Sequence, residues 1–155
     1  MKKILIALDY DQTAQKVAEA GFAFARSMNA GITLLHVVSD PVYYSSLEYS
    51  PIMGFTGYME MGNPQFGSIA DLKDASLKYL EKTRQHLGDE SIKTIVAEGD
   101  FAGTILNTAK DINAELIVLG SHGRKWLEDI LIGSVAEKVL HHSAIPLLII
   151  PTKKK

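Results

Sequence analysis

Short runs of apolar residues recur along the chain, separated by stretches with helical spacing. Five runs cover residues 4–8, 32–38, 92–97, 116–119 and 145–150, and four of them are nearly continuous in apolar character. Continuous runs are typical of strands that are buried on both faces, as in a parallel sheet. The run at 92–97 alternates more between apolar and polar residues, which favours an edge strand.

Four helices are predicted between these runs. The first follows Thr13, a suitable N-cap, and ends near Gly31, which can adopt the left-handed conformation of a C-cap. The third and fourth cover residues 102–112 and 132–142, each with apolar residues at helical spacing.

The second helix has two candidate N-caps, Ser68 and Asp71, and is expected to stop at Gly88. Its apolar residues recur at helical spacing and predict one buried stripe. That stripe is Leu72, Ala75, Leu77, Leu80 and Leu87.

Strands and helices therefore alternate from one end of the chain to the other. This order predicts right-handed crossovers and a three-layer α/β fold, with a doubly wound, five-stranded parallel sheet. In such folds ligands bind beyond the carboxyl ends of the strands, where the strand order reverses. The residues that follow each apolar run are therefore the first candidates for a site.

Residues 41–67 do not fit a compact connection between elements. They are rich in Pro, Gly, Tyr and Met, and their apolar residues follow neither the helical nor the strand period. A loop of this length is typically a lid, an interaction surface or a variable insertion. All three interpretations stay open. The lid interpretation expects this loop to become more ordered when a ligand binds at the end of the second strand.

Composition narrows the class of protein. A chain of 155 residues suffices for one domain, expected over residues 1–152 and followed by a basic tail at 153–155. The net charge of -2 gives no general attraction to nucleic acid. Cysteine is absent, which excludes disulfides and thiolate metal sites. No apolar run approaches the length of a membrane span, and the first is too short for a signal peptide, so we expect a cytoplasmic protein.

Small residues cluster at two points near the fourth strand. Gly120 and Gly123 follow it, and Gly133 and Ser134 open the last helix. Glycine lets backbone N–H groups approach an anion, and a helix N-terminus adds unpaired N–H donors. The pattern indicates a phosphate site made of two pieces, although glycines also occur in turns for steric reasons. It matches neither the Walker A nor the dinucleotide fingerprint.

This spacing, Gly-x2-Gly-x9-Gly-Ser, resembles the nucleotide motif of the ATP-binding branch of the universal stress protein family. The segments "KKILIALD", "LLHVV", "IVLGSHGR", "IGSVAEKVL" and "IPLLII" occur in the order of that family, so the resemblance spans essentially the whole chain. It implies a Rossmann-like sheet of the adenine nucleotide alpha hydrolase type with strand order 3-2-1-4-5. It also implies a homodimer that pairs the strands at 145–150.

The resemblance further implies a ligand and a site. The ligand is ATP, or AMP or ADP, with Mg²⁺ beside the phosphates. Asp9 is expected to bond the adenosine, Val37 to offer main-chain groups to the adenine edge, and Arg124 either to screen the phosphates or to face water. The implied binding residues are Ala7, Asp9, Val37, Leu119, Gly120, Gly123, Arg124, Gly133, Ser134 and Val135.

Three histidines need separate interpretation. His122 follows the fourth strand, where it is either a catalytic base beside the phosphates or, as we favour, a turn residue that bonds locally. His141 and His142 are adjacent on a helix and point about 100° apart, so they favour a helix-end role over a shared metal site. No metal site is expected from protein side chains.

The favoured function is a nucleotide-dependent regulatory module that holds ATP and has no efficient hydrolytic activity, since the motif supplies no evident general base. One alternative is a dimeric interaction protein with an unidentified regulatory partner, for which nucleotide is incidental. Others are a slow ATPase or autophosphorylating protein and, less favoured, a phosphoacceptor receiver domain. The sequence identifies neither the stress nor the partner.

Overall fold

The structure is a computed structural model that describes residues 2–9, 13–39, 69–121 and 132–152. The predicted loop at 41–67 and the tail at 153–155 lie outside the described residues. So do His122, Gly123 and Arg124 of the expected site.

A five-stranded parallel sheet forms the centre of the fold. Its strands are β1 (Lys3–Ala7), β2 (Gly31–Val38), β3 (Lys93–Glu98), β4 (Leu116–Gly120) and β5 (Leu147–Ile150). Their order in the sheet is β3-β2-β1-β4-β5, and every pairing is parallel. The doubly wound α/β sheet and its strand order are confirmed, and β3 is the edge strand that the alternating run predicts.

Four helices connect the strands in the described part of the chain. They are α1 (Ala14–Ser27), α2 (Ile69–Leu87), α3 (Phe101–Asp111) and α4 (Ser134–His142). None of the helices in the described segments is both long and apolar enough to cross a membrane.

Each strand contributes side chains to two cores, because successive side chains point to opposite faces of the sheet. Ile4 and Ile6 of β1 pack in the core that contains α1 and α2. Leu5, between them, packs in the opposite core with residues of α3 and α4. Both faces of the sheet are therefore covered, which explains why the strands are continuously apolar.

The first helix ends differently from the prediction. Asn29, rather than Gly31, adopts the left-handed conformation, with φ of 54°, and Gly31 already begins β2. Asparagine tolerates this conformation because its short polar side chain bonds locally. Thr13 is the N-cap residue as predicted, although its side chain makes no capping hydrogen bond.

The second helix confirms most of its predicted stripe. Leu72, Ala75 and Leu80 are buried, and Gly88 ends the helix with φ of 74°. The prediction that Leu77 belongs to the buried stripe is wrong, since 46% of this residue is exposed. Tyr79 occupies the buried face instead and is 2% exposed.

Candidate functional site

The candidate site lies at the carboxyl ends of β1, β2 and β4. Ala7 ends β1 and is in register with Leu35 of the adjacent strand β2, which continues to Val37. On the other side β1 pairs with β4, which ends at Leu119 and Gly120. The strand order reverses between β1 and β4, so these residues border the crevice in which α/β sheets bind ligands.

Asp9 follows β1 at this edge and is partly exposed. The backbone on either side of its position is fixed by two side chains from other elements. The carbonyl of Leu8 accepts a hydrogen bond of 2.8 Å from Nδ1 of His36, on β2. The carbonyl of Asp9 accepts one of 3.4 Å from the hydroxyl of Tyr79, on α2. These two contacts hold the backbone at the end of β1, from which the Asp9 side chain extends.

His36 and Tyr79 also contact each other edge to face, with ring centroids 6.1 Å apart. His36 is only 1% exposed. Burial disfavours its charged form and lowers its pKa to about 4, although the hydrogen bond to Leu8 opposes this shift. The ring is therefore neutral at pH 7, with the proton on Nδ1 because a carbonyl is its partner there.

The N-terminus of α4 forms the second part of the site. Gly133 is the N-cap residue and has extended backbone, with φ of -72° and ψ of 165°. Within the described residues no side chain caps this end. The first-turn amides of Ser134, Val135 and Ala136 have no acceptor within the helix, and the helix dipole adds partial positive charge.

One backbone hydrogen bond connects this helix to the sheet. The N–H of Gly133 donates to the carbonyl of Ser121, the residue that follows β4. Ser121, which follows Gly120, and the glycine that precedes α4 are therefore adjacent in space. The Gly133 amide is engaged within the protein, whereas the amides of Ser134 and Val135 lie in the first turn of the helix, which offers them no acceptor.

The loop after β3 has a structural role. The side chain of Asp100 accepts a hydrogen bond of 2.7 Å from the N–H of Gly103 and caps α3. Gly99, before it, has φ of 141°, which other residues rarely adopt. The Asp100 carboxylate is therefore engaged in capping α3.

The histidine pair on α4 bonds within its own helix. Nε2 of His141 lies 3.7 Å from a carboxylate oxygen of Glu137, and Nδ1 of His142 lies 2.9 Å from the carbonyl of Lys138. These contacts agree with the predicted helix-end role. In the described segments no group of three or more His, Asp or Glu side chains is arranged to hold a metal ion.

Sequence reasoning missed four residues that support the site: His36, Tyr79, Ser121 and Thr152, whose N–H donates to Oγ of Ser121. A histidine inside the apolar run "TLLHVV" is a visible signal, since a buried imidazole requires a hydrogen-bond partner. Tyr79 and Thr152 carry no such signal, because their roles depend on which elements pack together.

Comparison with known proteins gives consistent matches. The model of the universal stress protein family matches residues 1–151. Universal stress protein YxiE of Bacillus subtilis is 31% identical over 151 residues, covering 96% of this chain and 97% of the relative. Universal stress protein MJ0577 of Methanocaldococcus jannaschii is 28% identical over 156 residues, which is 98% of this chain and 96% of that protein.

Solved structures agree with the fold. The structure of MJ0577 superposes with a TM-score of 0.73 and covers 99% of this chain and 98% of its own. A universal stress protein from Archaeoglobus fulgidus, solved in complex with dAMP, gives a TM-score of 0.63 at 18% identity, covering 97% and 98%. With a family match across nearly its whole length, the chain belongs to the universal stress protein family.

Proposed function

We propose that this protein binds an adenine nucleotide, with ATP as the favoured ligand, at the carboxyl edge of β1, β2 and β4. The observation that carries the proposal is the hydrogen bond from Gly133 to the Ser121 carbonyl. It holds the start of α4 directly beside the end of β4, so a helix N-terminus faces the crevice where the strand order reverses.

The residues at this edge match the parts of a nucleotide. Asp9 is a partly exposed carboxylate, suited to ribose hydroxyls, and Val37 lies one residue before the end of the buried apolar strand β2, suited to a base. The first-turn amides of α4 suit the phosphates. Gly123 and Arg124 are proposed to complete the phosphate side. Mg²⁺, when present, is proposed to be held mainly by phosphate oxygens and water.

The family supports the same ligand class, since the Archaeoglobus relative was solved with dAMP. The occupant of this chain is proposed to be ATP, with AMP or ADP as the alternatives, because the Gly-x2-Gly-x9-Gly-Ser spacing resembles the motif of the ATP-binding branch. The glycine and serine residues of the motif supply no evident general base. We therefore assign a binding and regulatory role, with slow hydrolysis as the alternative.

The test is titration calorimetry with ATP in the presence and absence of Mg²⁺. Gly133→Val adds side-chain atoms at the start of α4 and is expected to abolish ATP binding. The backbone of Gly133 is in a conformation open to all residues, so the fold should persist. Ser134→Ala should weaken binding by about 1.5–3 kcal/mol, as expected for a hydrogen bond to a charged group.

Ser27→Ala provides the matched control for Ser134→Ala, because Ser27 ends α1 and its hydroxyl donates to the carbonyl of Phe24. This variant should bind ATP like wild type. Equal ATP affinity in wild type and Gly133→Val, with unchanged circular dichroism, would refute the site. Phosphate release measured alongside separates a binding protein from a slow ATPase.

We further propose that the protein is a homodimer through residues 145–150. In the described sheet β5 is the last strand in the order, and Leu147, Leu148 and Ile149 are only half-buried. An apolar edge strand promotes pairing with another chain. Leu148→Lys should shift the protein towards monomer in light scattering, and a wild-type monomer at micromolar concentration would contradict the proposal.

A further inference from the structure

The regular hydrogen-bond pattern between β4 and β5 changes at Ser121, the residue that follows β4. In a parallel ladder, a residue that donates to one residue of its neighbour accepts from the residue two positions further along. Ser121 donates its N–H to the carbonyl of Ile150 at 2.8 Å. Its own carbonyl should therefore accept from the N–H of Thr152.

That bond is replaced by a side-chain bond. The N–H of Thr152 donates to Oγ of Ser121 at 3.0 Å. The two hydroxyl oxygens, Ser121 Oγ and Thr152 Oγ1, are 3.1 Å apart and share a second hydrogen bond. The carbonyl of Ser121 accepts instead from the N–H of Gly133. The serine hydroxyl thus replaces the carbonyl in the ladder, and the carbonyl is released to hold α4.

Because both residues are buried, the loss of a hydrogen bond between them would cost free energy. Ser121 is 8% exposed and Thr152 is 2% exposed. Water therefore has little access to the Thr152 amide, and losing its acceptor would leave a buried donor unsatisfied. If the amide of Thr152 then turned to the Ser121 carbonyl, that oxygen would serve two donors through its two lone pairs, and its hold on the Gly133 amide would change.

From this geometry we infer that Ser121 is a positioning residue for the phosphate side of the nucleotide site. Its hydroxyl bonds Thr152, two residues beyond β5, so that its carbonyl can hold Gly133 and the first turn of α4. The inference rests on the proposed nucleotide function, but it concerns a residue whose side chain is directed to Thr152 rather than to the ligand. It also makes the end of β5 part of the support of the site.

Ser121→Ala tests the role of the hydroxyl, and Ser121→Thr restores a hydroxyl at the same place. Titration calorimetry should compare MgATP with adenosine, which lacks phosphates. In Ser121→Ala the dissociation constant for MgATP should rise by roughly fivefold to tenfold, the equivalent of about one hydrogen bond. The dissociation constant for adenosine should stay within about twofold, and Ser121→Thr should restore MgATP binding.

Thr83→Val is the matched control, because Thr83 is also a buried hydroxyl, on α2, and donates only to the carbonyl of Tyr79. It should lower stability without changing the ratio of the two dissociation constants. If Ser121→Ala weakens MgATP and adenosine by the same factor, or weakens neither while wild type binds both, the positioning role is wrong.

A second measurement needs no ligand. Amide hydrogen exchange at Gly133 should be slow in wild type, faster in Ser121→Ala and slow again in Ser121→Thr, because the hydroxyl keeps the acceptor carbonyl in place. Unchanged exchange at Gly133 in Ser121→Ala would overturn the inference whatever the nucleotide data show. Wild-type protein that binds no adenine nucleotide, yet shows this exchange pattern, would refute only the proposed function.

Discussion

Acid should destabilise this fold in part through His36, which lies in the interior beneath the candidate site. The side chain is 1% exposed, and its Nδ1–H is bonded to the Leu8 carbonyl at 2.8 Å. Protonating the second ring nitrogen would place a positive charge against the ring of Tyr79 in an apolar core. The folded protein resists this protonation, whereas the unfolded chain does not.

The magnitude follows from the difference between two pKa values. The pKa of His36 is lowered by burial to about 4 in the folded protein, while an unfolded histidine titrates near pH ~6.5. Between these values the unfolded state binds more protons, so the free energy of unfolding falls as the pH falls. The full contribution of His36 to the free energy of unfolding is present above about pH 6.5. About 3 kcal/mol of that free energy is lost by about pH 4.

Urea denaturation between about pH 8 and pH 4 measures this loss, provided that other titrating groups are subtracted. His36→Asn keeps a donor towards Leu8 but removes the titration. The free energy of unfolding of wild type minus that of His36→Asn should therefore decrease by about 3 kcal/mol across this range. Ser27→Ala, which removes an exposed hydroxyl that does not titrate in this range, should give a profile parallel to wild type.

A difference between wild type and His36→Asn that stays constant from about pH 7 to pH 4 would refute the reasoning. It would mean that the ring titrates alike in both states, or that the core admits water to it. Nuclear magnetic resonance gives a direct check, since the ring signals of His36 should keep their neutral positions down to about pH 5.

Two further predictions concern packing and capping. Gly21→Leu should destabilise the protein by about 1–3 kcal/mol in urea denaturation, because a Cβ there would already lie 2.8 Å from Cδ1 of Ile6; Gly21→Ala, which gains helix propensity, should cost much less. Asp100→Ala should cost about 1 kcal/mol by removing the N-cap bond to Gly103, and Asp100→Ser should retain most of that stability.

The sequence predicts the sheet well because its signals are local and strong. Nearly continuous apolar runs identify four of the strands, and the more alternating run at 92–97 identifies the edge strand β3. Helix ends are less accurate, as the left-handed residue after α1 is Asn29 and not Gly31. Both residue types tolerate that conformation, so composition alone does not decide between them.

The residues of the candidate site likewise fall into those that the sequence predicts and those that it does not. The glycines and Ser134 are recognisable because their spacing follows a strand and opens a helix. The roles of Ser121 and Tyr79 depend on atoms from distant parts of the chain, respectively Thr152 and Asp9. No periodicity encodes such contacts, so only the assembled structure identifies the residues that support the binding groups.

The central place of β1 in the sheet has a consequence for synthesis. β1 is made first and can pair with β2 soon after, but its other edge is completed only by β4, where Leu5 lies opposite Ile117. A chain emerging from the ribosome therefore exposes an apolar, unpaired strand edge until β4 has been made. The nascent protein is expected to need protection from aggregation during that interval, and the crevice between β1 and β4 forms only in the final steps of folding.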